Sequence, residues 1–428
     1  MKKLAAVLFI TFFLFCQVEL PISSNITADS YISQEKAIEI AQGELADGEW
    51  SPSAKVTKAF PIHTDGVNEI SYWECKVVDE KGPAGFVLVN ANRTDLLVVE
   101  AATEGFTLYE QYAQKLPNQD FKLLRYDWFR SVALSPEGKI LSSVAMGDDK
   151  EQVRQAMNDF RVAMKEQGEK TVHLGGDLAS YYAELDASEP NIRLGFIDNA
   201  FAGKKTRVFR ARLKKRFPGG HHTPRWHQFQ KDSGAYVGCG PVAWAVLYAY
   251  WQQFLNKGKL FNGKDLKPSV DFNPGSHRWL KNIVMELNRN CKTSEVRYQG
   301  KKQGYTPPKR MELGINYAKG KGYKKSTAGR WRGTEFNKFA KVKSHIAGNK
   351  PVILLIKNSG RGIPNHYVVI EGAYKYQRKR LRKWRDWKVK YLVNKCNGGP
   401  STYIFVREVG INKEKIYTAG SAYLVNVR

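Results

Sequence analysis

Cysteine is scarce in this sequence: five occur in 428 residues, and none is spaced as a CxxC pair. That excludes a disulfide-dense scaffold and gives no basis for a cysteine zinc cage. No HExxH run or related histidine spacing is present, so neither a metal nor a cofactor is expected. Long apolar runs are almost missing. The one candidate, Leu4 to Cys16, is 13 residues long and apolar but for Thr11, too short to span a bilayer comfortably. Behind Met1-Lys2-Lys3 it reads as an export signal over residues 1–22, with cleavage between Cys16 and Asp29 and an uncleaved anchor as the alternative. Bulky Phe15 argues against lipid attachment at Cys16. Hydrophobic residues make up 42% and aromatics 12%, enough to build cores, so global disorder is excluded.

Acidic residues are lacking in one half only. Residues 1–200 hold 19 Lys and Arg against 30 Asp and Glu, whereas residues 201–428 hold 49 against 11. An acidic half joined to a strongly basic one suggests electrostatic complementarity within a single precursor. The bland alternative, that each half is merely soluble, explains a modest imbalance better than one of this size.

The length suggests two or three compact units. Ile32 to Gly43 carries an imperfect capping box at Ser33 and an apolar face at Ala37, Ile38, Ile40 and Ala41, which predicts a short helix. Gly85 to Asn90 and Leu96 to Ala101 read as a hairpin, so residues 30–110 are expected to form a small α+β domain. Residues 111–200 are expected to be a second, partly helical segment, with a charged helical pattern at 150–168. The basic run Lys204 to Arg216, ahead of Phe-Pro-Gly-Gly, marks 201–220 as a linker open to proteolytic nicking. From 221 to 428 the texture is that of a dense α+β domain. Helices are expected at 241–254, 277–288 and 335–346. Strands are expected at 352–356, 367–370, 391–394, 403–406 and 423–427.

The chemistry centres on Val237-Gly-Cys-Gly-Pro-Val-Ala243. A thiolate is the reactive form of cysteine. A helix N-terminus and a nearby imidazolium lower its pKa from about 8.5 toward about 3.5–7.5. Cys239 stands just before Pro241 and an apolar helix, where Gly238 and Gly240 permit close approach and the Cys239 amide can enter an oxyanion hole. Gln228, in Trp226-His-Gln228, offers a second donor. Alone, such a cysteine reads as a buried structural thiol. Its partners, however, follow in a useful order. His366 opens the apolar strand His366-Tyr-Val-Val-Ile-Glu-Gly372, and Asn394 ends the next strand, where an amide can orient an imidazole.

These runs resemble the nucleophile and histidine segments of bacterial papain-like cysteine peptidases, of the streptopain family and of the double-glycine, bacteriocin-processing peptidases. Tyr391-Leu-Val-Asn-Lys-Cys-Asn-Gly-Gly399 is similar to the streptopain pattern Asn-Trp-Gly-Trp-Gly-Gly. The resemblance implies a helical lobe carrying the cysteine and an antiparallel sheet carrying the histidine. It implies Cys239 as nucleophile, His366 as general base and then acid, Gln228 as oxyanion donor and Asn394 as orienter. It also implies that Gly85-Phe-Val-Leu-Val-Asn90 and Thr103-Glu-Gly105 belong to a propeptide. Lys395, Cys396 and Asn397 depart from the pattern, and Asn397 is a second candidate orienter. Cys291 and Cys396 are left as a pair that an oxidising compartment could join.

The expected function is therefore a secreted cysteine endopeptidase made as a zymogen, working through a thioester acyl-enzyme. Amidase or transglutaminase chemistry on the same thiol, and an inert cationic surface-binding or toxin module, are the alternatives. The expected partners are a protein or peptide substrate, the chain's own acidic prosegment and anionic surfaces. Lys, Arg, Trp and Tyr interleave at 374–390 in a way that also suits nucleic acid, a less accessible partner for an exported chain. A monomer is expected.

Overall fold

The fold is taken from a computed structural model. It describes residues 31–47, 50–63, 70–91, 98–125, 131–144, 206–298, 301–332, 335–358, 366–380, 383–399, 401–408 and 417–428. The expected signal at 1–22, the helical pattern at 150–168 and the first residues of the expected linker lie outside this set.

One antiparallel sheet organises the chain. Strand β13 (His366–Arg380) is its hub. Along one edge it pairs first with β12 (Val352–Asn358) and then with β8 (Thr206–Arg212); along the other it forms a hairpin with β14 (Lys383–Asn394). Beyond β14 comes β15 (Thr402–Glu408), and beyond β12 come β16 (Tyr417–Asn426) and β11 (Thr327–Trp331). The described residues of the basic, aromatic-rich stretch 374–390 fall on the two strands of this hairpin. The predicted helices are present as α3 (Cys239–Phe254), α4 (Arg278–Asn290) and α6 (Glu335–Ala347). Between the last two come the hairpin of β9 (Ser294–Tyr298) and β10 (Lys301–Tyr305) and then α5 (Ile315–Gly320), which completes the lobe.

Helix α3 is apolar on every side, and Gly240 to Gln252 are all buried. Such a helix is stable only inside a core, with its polar tips satisfied. Trp244 donates to the Met311 carbonyl at 2.9 Å, Tyr248 to that of Gly314 at 3.0 Å, and Gln252 to that of Lys264 at 2.6 Å. Helix α3 packs against β12 and β13, which fixes its N-terminus relative to the start of β13.

Within the basic stretch expected to be a linker, Thr206–Arg212 form strand β8. Phe209, Ala211 and Leu213 recur at period two on one face; Ala211 and Leu213 are buried, whereas Val208 and Arg210 are exposed. The backbone of Leu213 continues the pairing by donating to the Glu371 carbonyl at 2.9 Å.

The N-terminal elements extend the same sheet. Strands β1 (Lys55–Ile62), β2 (Tyr72–Asp79), β3 (Gly82–Asn90) and β4 (Val98–Ala102) are antiparallel neighbours, and β4 pairs with β15 through Ile404 opposite Glu100. Helix α1 (Gln34–Asp47) starts where the Ser33 hydroxyl accepts from the Lys36 amide at 3.2 Å, and it covers β1 to β4. The core beneath it mixes Ile40, Ala41 and Val87 with Tyr374, Tyr376, Leu392 and Tyr403 of β13, β14 and β15. Helix α2 (Leu108–Lys115) begins with a complete capping box, Thr107 to Glu110. After it, β5 (Lys122–Arg125), β6 (Ser131–Leu134) and β7 (Ile140–Val144) form a three-stranded sheet in the part of 111–200 that is described.

Charge crosses this junction in buried pairs. Glu44 of α1 meets Lys390 of β14 at 2.7 Å, with the two side chains 1% and 0% exposed. The Lys390 ammonium also lies 5.0 to 5.8 Å from the rings of Tyr374, Tyr376 and Tyr403. Breaking one side of such a pair leaves a buried charge without its counter-ion, whereas replacing both with apolar groups removes the problem. Glu44→Ala is thus expected to destabilise the chain by about 3–5 kcal/mol, and Glu44→Leu with Lys390→Met by far less. Denaturant unfolding of both variants checks this.

Candidate active site

Cys239 is the first residue of α3, after Gly238 at φ +97°. A Cβ at Gly238 would come 2.7 Å from the Gly304 carbonyl oxygen, and one at Gly304 would come 2.6 Å from that of Val237. Only two glycines let these backbones meet. Asn288 of α4 clamps the same segment, donating to the Val237 carbonyl at 2.7 Å.

The sulfur of Cys239 accepts the backbone N–H of Tyr367 at 3.4 Å, so the thiol lies against the residue that follows His366. The structure thus brings together the two segments expected to carry nucleophile and base. His366 is buried, and its Nε2 lies 2.6 Å from the Lys395 carbonyl oxygen. A carbonyl only accepts, so Nε2 carries a proton, and in the neutral ring Nδ1 then carries none.

Asn394 holds the histidine only indirectly. Its amide donates to Thr223 Oγ1 at 2.8 Å and to the Pro224 carbonyl at 2.7 Å, and its Oδ1 accepts from the Cys396 N–H at 2.8 Å. Asn394 therefore anchors the turn 394–397 to the segment before α3, and the ring rests on the main chain of that turn. Thr223 in turn donates to Glu371, whose carboxyl is pushed up by burial. Asn397 Oδ1 is buried and accepts no hydrogen bond among the described residues. Gly398 of the same turn packs on His227.

Gln228 is half-buried and lies on the short ladder that leads to the cysteine. The Gln230–Tyr236 bridge and the Val237 N–H to Phe229 carbonyl bond, 3.0 Å, place it opposite Gly238. Its side-chain amide makes no hydrogen bond among the described residues and is available to a ligand.

The thiol itself departs from expectation. Burial pushes Cys239 up to about 11, although the backbone N–H groups of Tyr367, Cys239 and Gly240 all act to lower it. Desolvation of the charged form outweighs the helix terminus. Cys396 is buried beside it and pushed well up, by burial first and then by the charge of Cys239. The four described cysteines, Cys75, Cys239, Cys291 and Cys396, are all free thiols.

Lys395 was the residue least legible beforehand. Its side chain, 9% exposed, reaches Glu100 Oε1 of β4 at 2.9 Å, and Arg125 takes Glu100 Oε2 at 2.6 Å. Burial alone would raise the Glu100 carboxyl, but Arg125 and Lys395 hold it at about 2. The lysine where the streptopain pattern has tryptophan was the only available signal. Iodoacetamide labelling of Cys239 in the intact chain should rise about tenfold per pH unit from neutrality and level off near pH 11, because only the thiolate reacts. Mass spectrometry of the labelled peptide measures it, and a plateau below pH 8 would contradict the buried neutral thiol.

Residues 222–381 match the model of the Peptidase_C39 like family. The match includes Gln228, Cys239 and His366 and ends before Asn394. No curated protein matches the chain. Among solved structures, a fragment of prointerpain A from Prevotella intermedia is similar over 86% of this chain and 98% of its own length, at 10% identity and a TM-score of 0.39. The chain is a papain-like cysteine peptidase, and its residues 222–381 are similar to the Peptidase_C39 like family.

Proposed function

We propose that the chain is an exported endopeptidase zymogen, in which the acidic N-terminal elements keep a thiol peptidase silent until they are cut away. Cys239 is its nucleophile, and His366 takes the thiol proton and later returns it to the leaving amine. The amides of Cys239 and Gln228 receive the oxyanion, and Asn394 steadies the turn beneath the histidine. The observation that carries the reading is the contact between the Cys239 sulfur and the strand that His366 opens. The raised thiol pKa suits a dormant precursor. The N-terminal contribution is supported by Glu44 on Lys390, Glu100 on Lys395, and Glu104 on Arg225 at 2.5 Å.

Two experiments test this. Purified precursor, incubated beside Cys239→Ala, should convert to a shorter form that reacts with a thiol-directed peptide probe. Equal conversion of both proteins would show that cleavage is not autocatalytic, and labelling that persists in Cys239→Ala would remove the assigned nucleophile. The second uses acid. On release Glu100 keeps Arg125 and loses only Lys395, so its carboxyl rises part of the way from about 2 toward about 4.3, and the bound state loses this stabilisation as pH falls toward 2. The cleaved N-terminal segment should therefore stay bound at neutral pH and dissociate between about pH 4 and 2, as read by size-exclusion chromatography. Retention throughout that window would contradict the role given to Glu100.

A further inference from the structure

Lys395 joins the N-terminal strands to the catalytic histidine through two different parts of one residue. Its backbone carbonyl receives the Nε2–H of His366 at 2.6 Å, and its ammonium is held 2.9 Å from Glu100 Oε1. Glu100 is fully buried and cannot swing away. Its strand is laddered to β15 through Ile404, and its second oxygen is bound by Arg125 at 2.6 Å. A buried ammonium does not leave its carboxylate cheaply, so the side-chain end of Lys395 is as fixed as β4 itself. The backbone around it is held as well. Asn394 is tied to Thr223 and Pro224, and Cys396 sits at φ +55°, a region non-glycine residues rarely occupy. A turn that adopts such a conformation persists when its surroundings over-determine it, and the Glu100 contact is one of those determinants.

We propose that Glu100 is a positioning residue for His366, acting through Lys395. The ion pair fixes the carbonyl that selects the Nε2–H tautomer and so keeps the proton off Nδ1 in the neutral ring. The inference rests on the reading of His366 as general base. It adds that a residue 295 positions away from Lys395, in the N-terminal strands, sets the proton arrangement of that base.

The test uses the full chain with 15N-labelled histidine. Glu100→Gln keeps the shape and removes the charge, Lys395→Met removes the cation, and Lys395→Arg keeps it. Wild type and Lys395→Arg should show neutral His366 as the Nε2–H tautomer. Glu100→Gln and Lys395→Met should show a mixture of tautomers. Because Glu100 lies in the segment that is cut away, the readout is the tautomer in the intact chain and not turnover. An unaltered tautomer in both variants overturns the proposal. If Glu100→Gln does not fold, Lys395→Met decides, because Glu100 then retains Arg125. Probe labelling of the processed enzyme that is indifferent to His366→Ala would instead defeat the catalytic reading, and the NMR signal would still judge the positioning role.

Discussion

The contact between the Cys239 sulfur and the Tyr367 amide is the point on which the rest of the structure depends. It joins the start of a buried helix to the start of a buried strand, and neither can move without disturbing a core. Helix α3 is fixed because Gly240 to Gln252 are all buried and Trp244 and Tyr248 are bonded to surrounding carbonyls. Strand β13 is fixed because it is paired along both edges. The Gly238–Gly304 crossing adds the close backbone approach that sets the thiol at its depth. That depth makes the sulfur a poor acid, since the desolvation of a thiolate there exceeds what three amide dipoles return.

The second organising constraint is the fate of the basic residues. Forty-nine Lys and Arg in the second half repel one another, and a compact domain lowers that cost by burying acidic partners. The N-terminal elements supply them at two enclosed lysines, Lys390 beneath three tyrosines and Lys395 beneath the histidine. The continuous sheet makes these pairs possible, because β4 reaches Lys395 only by laddering onto β15. The acidic and basic halves are thus one packed object, with a hydrophobic core on the α1 face that both supply.

Much of this was legible in the residues. The helix after Cys239 announced itself by Pro241 and an unbroken apolar run, and the strand after His366 by its β-branched residues. Both signals are local, and local patterns survive without knowledge of the fold. Strand β8 was also legible in principle, since Phe209, Ala211 and Leu213 alternate; the density of arginine around them hid a period of two. The acceptor of the histidine proton is different in kind. It is a backbone carbonyl, and every residue has one, so no side-chain identity could have pointed to Lys395 over Asn394.

The sequence by itself determined the helix that begins at Cys239, the strand that begins at His366, the order of the strands along the chain and the opposition of charge between its halves. Those depend on hydrophobic periodicity, glycine and proline placement and simple counting, all of which are properties of neighbouring residues or of sums. Only the tertiary structure decided that Asn394 anchors a turn, that Lys395 carries the histidine, that Glu100 carries Lys395, and that the thiol is held neutral. Each of these depends on which surfaces are removed from water together, and desolvation is a property of the packed molecule alone.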